Sequence, residues 1–385
     1  MVTHYYGKVL EDDMNRNLLH TPEGVRDIYG HECSDRCQVK HAISRKMQSF
    51  GFEEIDTPSF EFFDVFAREI SNNSAMELYK FFDNEGRTMV LRPDFTPSVA
   101  RCVSKYFLTE NEPVRFYYSG KTFLNTHNLQ GKLKENTEMG AELMNEPSVY
   151  ADAEMIALLV QSLKETGLDD FKVSIGDADY YLGICDEACI GKDLEADIRE
   201  HMVSRNSFAA DLVMQQAAVS EKYRQLIQNV ATFIGDSSIL DEAAGLVNNE
   251  RSNKAIARLQ ELYKVLCSYG IKKYISFDLG LLSKFNYYTG VIFGAYTYGV
   301  GDAIARGGRY DNLLEKFGKS APAIGFMINI DELMKALYSQ KVKISDGDEA
   351  IVIEYTASDF DESLKKADQL RNQGKKVILK ERTKK

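Results

Sequence analysis

Apolar positions recur at the helical period in three places along the chain. Val39, Ala42, Ile43, Met47 and Phe50 mark one face of a helix over 34–50, with Ser34 as N-cap and Gly51 as stop. Ile156, Leu159, Val160 and Leu163 do the same over 150–166 before Gly167. Ile256, Leu259, Tyr263 and Leu266 repeat the pattern over 254–269 before Gly270. Alternating or aromatic-rich runs at 115–119, 171–175, 273–279 and 286–296 predict strands. Residues 185–249 lack strand signals; charged and rich in Ala and Gln, they read as a helical insertion between two halves of an antiparallel-sheet domain. After Leu333 a helix reaches residue 339, then 341–348 form a polar linker, and 350–355, 361–373 and 376–379 read strand, helix, strand. One βαβ unit is too small to bury a core alone. The predicted fold class is α+β: an antiparallel sheet flanked by helices over 1–340, carrying the insertion, with a short βαβ module over 348–385.

Composition narrows the function classes. The 385 residues suit a main domain with an insertion or appended module, and 44% hydrophobic content is ample for a core. No run of 18 or more apolar residues suggests a membrane span. Residues 1–17 are polar and carry Glu11, Asp12 and Asp13, unlike a signal or transit peptide, so a cytoplasmic protein is expected. A net charge of -11 argues against a dedicated nucleic-acid binder, which gains affinity by neutralising phosphates with Lys and Arg. Six cysteines are too sparse for a disulfide scaffold. The CxxxC pairs Cys33/Cys37 and Cys185/Cys189 have no His/Cys cluster beside them, so buried thiols are expected in preference to a metal site. No cofactor is implied.

Five collinear segments carry more specific information. They are Thr21-Pro22-Glu23-Gly24-Val25-Arg26-Asp27, Ile55-Asp56-Thr57-Pro58-Ser59-Phe60-Glu61, Leu91-Arg92-Pro93-Asp94-Phe95-Thr96, Tyr287-Tyr288-Thr289-Gly290 and Gly307-Gly308-Arg309-Tyr310-Asp311. In order, over roughly residues 18 to 335, they resemble the class II histidyl-tRNA synthetases: the entry segment, motif one with its dimer-interface proline, the Leu-Arg-Pro-Glu-x-Thr segment, and the two histidine-specific stretches. The resemblance implies the class II synthetase fold, in which the C-terminal module would be a truncated anticodon-binding domain.

The departures from the family decide the functional expectation. Where motif two has Phe-Arg-x-Glu, this chain reads Phe123-Leu124-Asn125-Thr126. Where the family has Leu-Val-Arg-Gly-Leu-Asp-Tyr-Tyr, it reads Leu281-Leu282-Ser283-Lys284-Phe285-Asn286-Tyr287-Tyr288. Where motif three has Gly-Leu-Glu-Arg, it reads Asn329-Ile330-Asp331-Glu332. Leu124, Ser283 and Glu332 thus occupy the positions of three phosphate-binding arginines. Adenylate chemistry needs preorganised cations at the phosphate oxygens, and one charge pair at 4 Å is worth about 4 kcal/mol at an effective dielectric of ~20. Lys284, one place from Ser283, cannot mimic a bidentate guanidinium. No catalytic residue is therefore assigned.

The amino-acid pocket is better kept. By resemblance, Asp94 and Thr96 face a ligand ammonium, Glu142 the imidazole, and Tyr288 and Tyr310 supply hydroxyls and ring walls; Glu138 stands where the family has Gln. Carboxylates and phenols suit an ammonium and a ring N–H; the competing reading is a polar core that binds nothing. Lys132 and Lys134, with Gln130, Gly131 and Leu133, form a motif-two loop that is either solvated or turned to ATP or RNA. Retained pocket and lost arginines resemble one branch, the regulatory subunits of ATP phosphoribosyltransferase. That resemblance implies a homodimer core bound to the short-form ATP phosphoribosyltransferase catalytic subunit in a hetero-oligomer. It also implies activation of the first step of histidine biosynthesis, with histidine as feedback effector. The alternatives are a divergent histidyl-tRNA synthetase and a stand-alone pseudo-synthetase that senses tRNA.

Overall fold

The computed structural model describes residues 19–67, 77–126, 132–283, 288–344 and 350–382. The polar N-terminal stretch 1–17, Gln130 and Gly131, Lys284 to Tyr287 and the second half of the 341–348 linker lie outside the described residues. Two units are distinguished: Val39–Val342 with the described residues before Ile28, and Ile28–Gln38 with Lys343–Lys385.

In the larger unit, nine strands form one sheet. They are β1 (Glu53–Glu54), β5 (Val114–Phe123), β6 (Glu135–Met144), β7 (Lys172–Asp177), β8 (Ile234–Gly235), β9 (Ile275–Asp278), β10 (Val291–Tyr296), β11 (Ala305–Arg309) and β12 (Ala323–Asn329). Their spatial order is β1-β5-β6-β12-β11-β10-β7-β9-β8. The central pairings are antiparallel, while β1–β5 and β7–β9 are parallel. Three short strands, β2 (Phe60–Phe62), β3 (Lys80–Phe82) and β4 (Thr88–Leu91), form a second sheet in the order β2-β4-β3.

The predicted helices are present with shifted ends. Helix α1 (Gly30–Ser49) starts four residues before Ser34, α2 covers only Asp64–Ala67, and α3 (Thr96–Tyr106) has Pro97 in its first turn, where no N–H is missed. Helix α4 (Val149–Glu165) is capped by Ser148, whose Oγ accepts from the Ala151 amide at 3.3 Å. Met155, Ile156, Leu158, Leu159, Val160 and Leu163 are all inaccessible to solvent. At about 1.5–3 kcal/mol for each buried side chain, α4 is a main anchor of the sheet's rear face. Helix α10 (Glu250–Ser268) begins at Asn249, whose Oδ1 accepts from the Ser252 amide at 2.7 Å. Glycines 167 and 270 take positive φ just past these two helices, as the stop signals require.

Between β7 and α10 the chain is helical, as predicted: α5 (Ala178–Glu187), α6 (Lys192–Val203), α7 (Ser207–Gln216), α8 (Glu221–Val230) and α9 (Ser238–Ala244). The exception is β8, two residues that join the sheet edge by pairing with Asp278 and Phe277. So short a strand leaves no alternation to read. In the described part of the 286–296 run, the strand covers Val291–Tyr296. Helix α11 (Ile330–Ser339) begins three residues before Leu333 because Asn329 caps it.

The buried-thiol expectation fails for three of the four paired cysteines. Cys33, Cys37 and Cys189 are exposed, and only Cys185 is buried. The buried stripe of α1 runs through Arg36, Val39, Ile43 and Met47, so Cys37 is turned about 100° from it. In the smaller unit β13 (Ile351–Tyr355), α12 (Phe360–Asn372) and β14 (Val377–Glu381) form the strand–helix–strand unit, with β13 and β14 parallel.

Candidate functional site

Alternation along β6 puts Glu138, Gly140 and Glu142 on one face of the large sheet. In register, Glu142 lies between Phe116 of β5 and Gly325 of β12, and Gly325 in turn pairs with Gly308 of β11. Both glycines are needed for close approach. A Cβ on Gly325 would stand 1.6 Å from Oε2 of Glu142, and one on Gly308 would stand 2.7 Å from the Tyr288 ring. The floor of the site is therefore backbone, and Glu142 and Tyr288 lie across it.

Other elements bring the remaining predicted residues to the same place. Asp94 precedes α3 and its Oδ1 accepts from the Thr96 amide at 3.0 Å. Thr96 Oγ1 donates to Oε1 of Glu142 at 2.8 Å, and the Tyr310 hydroxyl donates to Oε2. Asp94, Thr96, Glu138, Glu142, Tyr288 and Tyr310 thus surround one stretch of sheet. Glu142 is 1% exposed and Glu138 6%. Burial pushes the Glu142 carboxyl up to about 8, with Asp94 adding to the rise against the pull of the Tyr310 and Thr96 hydroxyls. Burial and then Asp94 push Glu138 up to about 8 as well, opposed by Arg92. The arrangement is an acidic, enclosed chamber whose protons a cationic ligand can replace.

Tyr118 and Arg92 complete the chamber. The Tyr118 ring stacks on Phe95 with centroids 4.2 Å apart, and its hydroxyl lies over Gly140, where a Cβ would meet it at 2.3 Å. That hydroxyl is fully buried and makes no hydrogen bond among the described residues. Burial, with Glu142, Asp94 and Glu138 nearby, holds it well above the usual phenol range. Arg92 lies over the opposite face of this aromatic pair, 3.9 Å from the Phe95 centroid. It donates to the carbonyls of Lys121 at 2.8 Å and Thr57 at 2.6 Å. Tyr118 lies in none of the sequence motifs; its one signal is its alternate-position pairing across from Gly140.

The three positions that the resemblance sets against phosphate-binding arginines hold Leu124, Ser283 and Glu332. Leu124 is half-buried and its amide donates to the Lys134 carbonyl at 2.9 Å, tying β5 to the motif-two loop. Ser283 is half-buried. Glu332 sits in the first turn of α11, paired to Lys335 at 2.7 Å. Its neighbour Asp331 is buried and accepts from the Thr137 amide at 2.7 Å. The entry segment reaches the rim of the site: the Lys134 amide donates to the Gly24 carbonyl at 2.7 Å.

Arg309, inside Gly307-Gly308-Arg309-Tyr310-Asp311, points away from the chamber. Between Gly308 and Tyr310 it falls on the rear face, where its Nε bonds Oδ1 of Asp152 on α4 at 2.7 Å. Asp152 is fully enclosed and also holds Arg258 of α10 at 2.6 Å. This ion triad fastens two helices to β11, the strand that leads into Tyr310. Among the described residues no group of three or more His, Cys, Asp or Glu is placed to hold a metal ion, and no helix is long and apolar enough to cross a membrane.

Comparisons with known proteins agree with this geometry. Residues 24–333 match the histidyl-tRNA synthetase family. An ATP phosphoribosyltransferase regulatory subunit from Acetivibrio thermocellus is 36% identical over 325 residues, covering 84% of this chain and 78% of that one. One from Thermoanaerobacter sp. (strain X514) is 32% identical over 362 residues, 94% of each chain. A crystal structure of an ATP phosphoribosyltransferase regulatory subunit/histidyl-tRNA synthetase from Bacillus halodurans C superposes with a TM-score of 0.85 at 29% identity, covering 94% of this chain and 92% of that one. Fold and site together define a class II protein of the histidyl-tRNA synthetase type. Within that type, the chain belongs to the family of ATP phosphoribosyltransferase regulatory subunits.

Proposed function

We propose that the chain is a non-catalytic regulatory subunit that activates ATP phosphoribosyltransferase, the first step of histidine biosynthesis, and relays feedback inhibition by histidine. One observation carries this reading. The carboxylates and hydroxyls suited to a histidine ligand converge on the glycine floor, while Leu124, Ser283 and Glu332 leave its phosphate side without the arginines that amino-acid activation needs. In this reading histidine lies beside Glu142 and Tyr288, its cationic groups facing Asp94, Glu138 and Glu142. The partner is the short-form catalytic subunit, and the core is a homodimer in a hetero-oligomer working in the cytoplasm. Phe60, Phe62 and Phe82 of the three-stranded sheet, 52%, 44% and 72% exposed beside the motif-one segment, support a self-association surface. Regulation follows by linkage: histidine shifts the complex toward a less active arrangement by no more than its differential affinity for the two states.

The test pairs two measurements on the purified chain: ATP–pyrophosphate exchange with histidine, and calorimetric titration of histidine, followed by addition of a short-form catalytic subunit. The expected result is histidine binding, no exchange, and activation of the catalytic subunit. The double variant Tyr288→Phe/Glu142→Gln is expected to weaken inhibition by histidine while assembly persists. Histidine-dependent exchange would return the chain to the synthetases, and unchanged inhibition in the double variant would move the effector site elsewhere.

A further inference from the structure

Tyr118 carries a polar atom that the fold itself does not use. Register sets the residue across from Gly140 on β6, with Glu138 and Glu142 two places to either side, about 7 Å away along the strand. Its ring is fixed by the stack on Phe95, only 9° from parallel, and its Oη lies 2.3 Å from where a Gly140 Cβ would stand. The phenol therefore crosses the strand between the two glutamates. After burial itself, the charges that bear on it are Glu142, Asp94 and Glu138, in that order.

The hydroxyl has no partner there. Thr96 and Glu142 lie near enough to affect its acidity. They hydrogen-bond each other at 2.8 Å, however, and neither meets the Tyr118 hydroxyl in bonding geometry. A buried hydroxyl in this state is costly, because its bonds to water are lost and not replaced. Phenylalanine would keep the ring and its stack without that cost.

A primary ammonium has three N–H donors to place. Glu138 and Glu142 offer oxygens, but each further ionised acid in an enclosed site adds repulsion, and burial already holds both protonated up to about 8. The Tyr118 phenol, held well above its usual range, stays neutral and offers lone pairs without a further buried charge.

We propose that the Tyr118 hydroxyl accepts a hydrogen bond from the primary ammonium of the bound amino acid, beside Asp94, Glu138 and Glu142. The role rests on the histidine reading of the same pocket. It makes Tyr118 a specificity residue: an ammonium relieves the orphaned hydroxyl, and a ligand without one leaves it buried and unpaired.

Calorimetric titration of the full chain with histidine, wild type against Tyr118→Phe, tests this beside urea unfolding of both proteins without ligand. Tyr118→Phe is expected to bind histidine about tenfold to a hundredfold more weakly, the range for a hydrogen bond to a charged group. Its ligand-free stability is expected to equal or exceed the wild type's, an opposition of sign that a structural tyrosine does not give. Imidazolepropionate, which keeps the ring and carboxylate but has no ammonium, is expected to compete with histidine equally well in both proteins once their histidine affinities are allowed for. Undiminished histidine affinity in Tyr118→Phe overturns the role and leaves the pocket reading intact. So does a variant less stable than the wild type without ligand, whose hydroxyl must then be bonded within the fold. An equal loss for imidazolepropionate overturns the assignment to the ammonium. A wild-type protein that binds no histidine overturns the pocket reading and the Tyr118 role together.

Discussion

Replacing Glu138 by Gln removes one of three acids from an enclosed chamber without changing its shape. Its folded-state pKa, pushed up to about 8 from 4.5, means that folding traps a proton which the unfolded chain has already lost above pH 5. A carboxyl with a raised pKa therefore weakens the fold as pH rises from the unfolded value through the folded one. The slope is about 1.4 kcal/mol per pH unit for one group. Across the full interval the cost approaches about 5 kcal/mol. Glu138→Gln carries no such proton, so it is expected to be more stable than the wild type by a margin that widens between pH 5 and pH 8. From pH 6 to pH 8 that margin grows by about 2 kcal/mol, flattening as the folded group itself begins to ionise. Urea unfolding at pH 5.5, 6.5, 7.5 and 8.5, fitted with a common m-value, measures the difference. Glu142, Asp152 and Asp177, which burial also raises, slope the same way in both proteins and cancel in the comparison. A stability difference that stays constant across the series would refute the reasoning, because Glu138 would then be ionised in the folded protein throughout.

Three further outcomes are expected from the same structure. Gly325→Ala forces a methyl group onto the Glu142 carboxylate and is expected to cost about 1–3 kcal/mol by overpacking and to abolish histidine binding, as measured by denaturation and titration. Asp152→Asn leaves Arg309 and Arg258 without their shared counter-ion, with an expected loss of about 3–5 kcal/mol in unfolding free energy; a loss under about 1 kcal/mol would show that the triad does not fasten the helices. Glu332→Arg restores a cation at one of three phosphate positions, and ATP–pyrophosphate exchange is expected to stay at background, since Leu124 and Ser283 remain uncharged; exchange from this single change would refute the triple-loss argument.

Much of this architecture is legible in the residues alone. Helical periodicity locates α1, α4 and α10, ordered motifs carry Asp94, Thr96, Tyr288 and Tyr310, and the family resemblance adds Glu138 and Glu142; all six surround one stretch of sheet. Helix ends shift where a stronger cap lies nearby, as when Asn329 starts α11 before Leu333. Tyr118 stays hidden because it lies in no motif, and its importance arises only from strand register, which sets it across from Gly140. Cys33 and Cys37 are exposed although thiols are commonly buried, a prior that the phase of the α1 stripe overrides. Arg309 carries its charge to the rear of the sheet, a direction given by the pleat and not by the motif around it.

The glycine floor has a consequence for how such a protein can change occupation. A pocket walled by side chains is rewritten whenever its walls mutate, but one scooped from main chain keeps its contour through the ladder bonds of β6, β12 and β11. Leu124, Ser283 and Glu332 lie outside those ladder strands, so they can be exchanged one after another while the hollow keeps its shape.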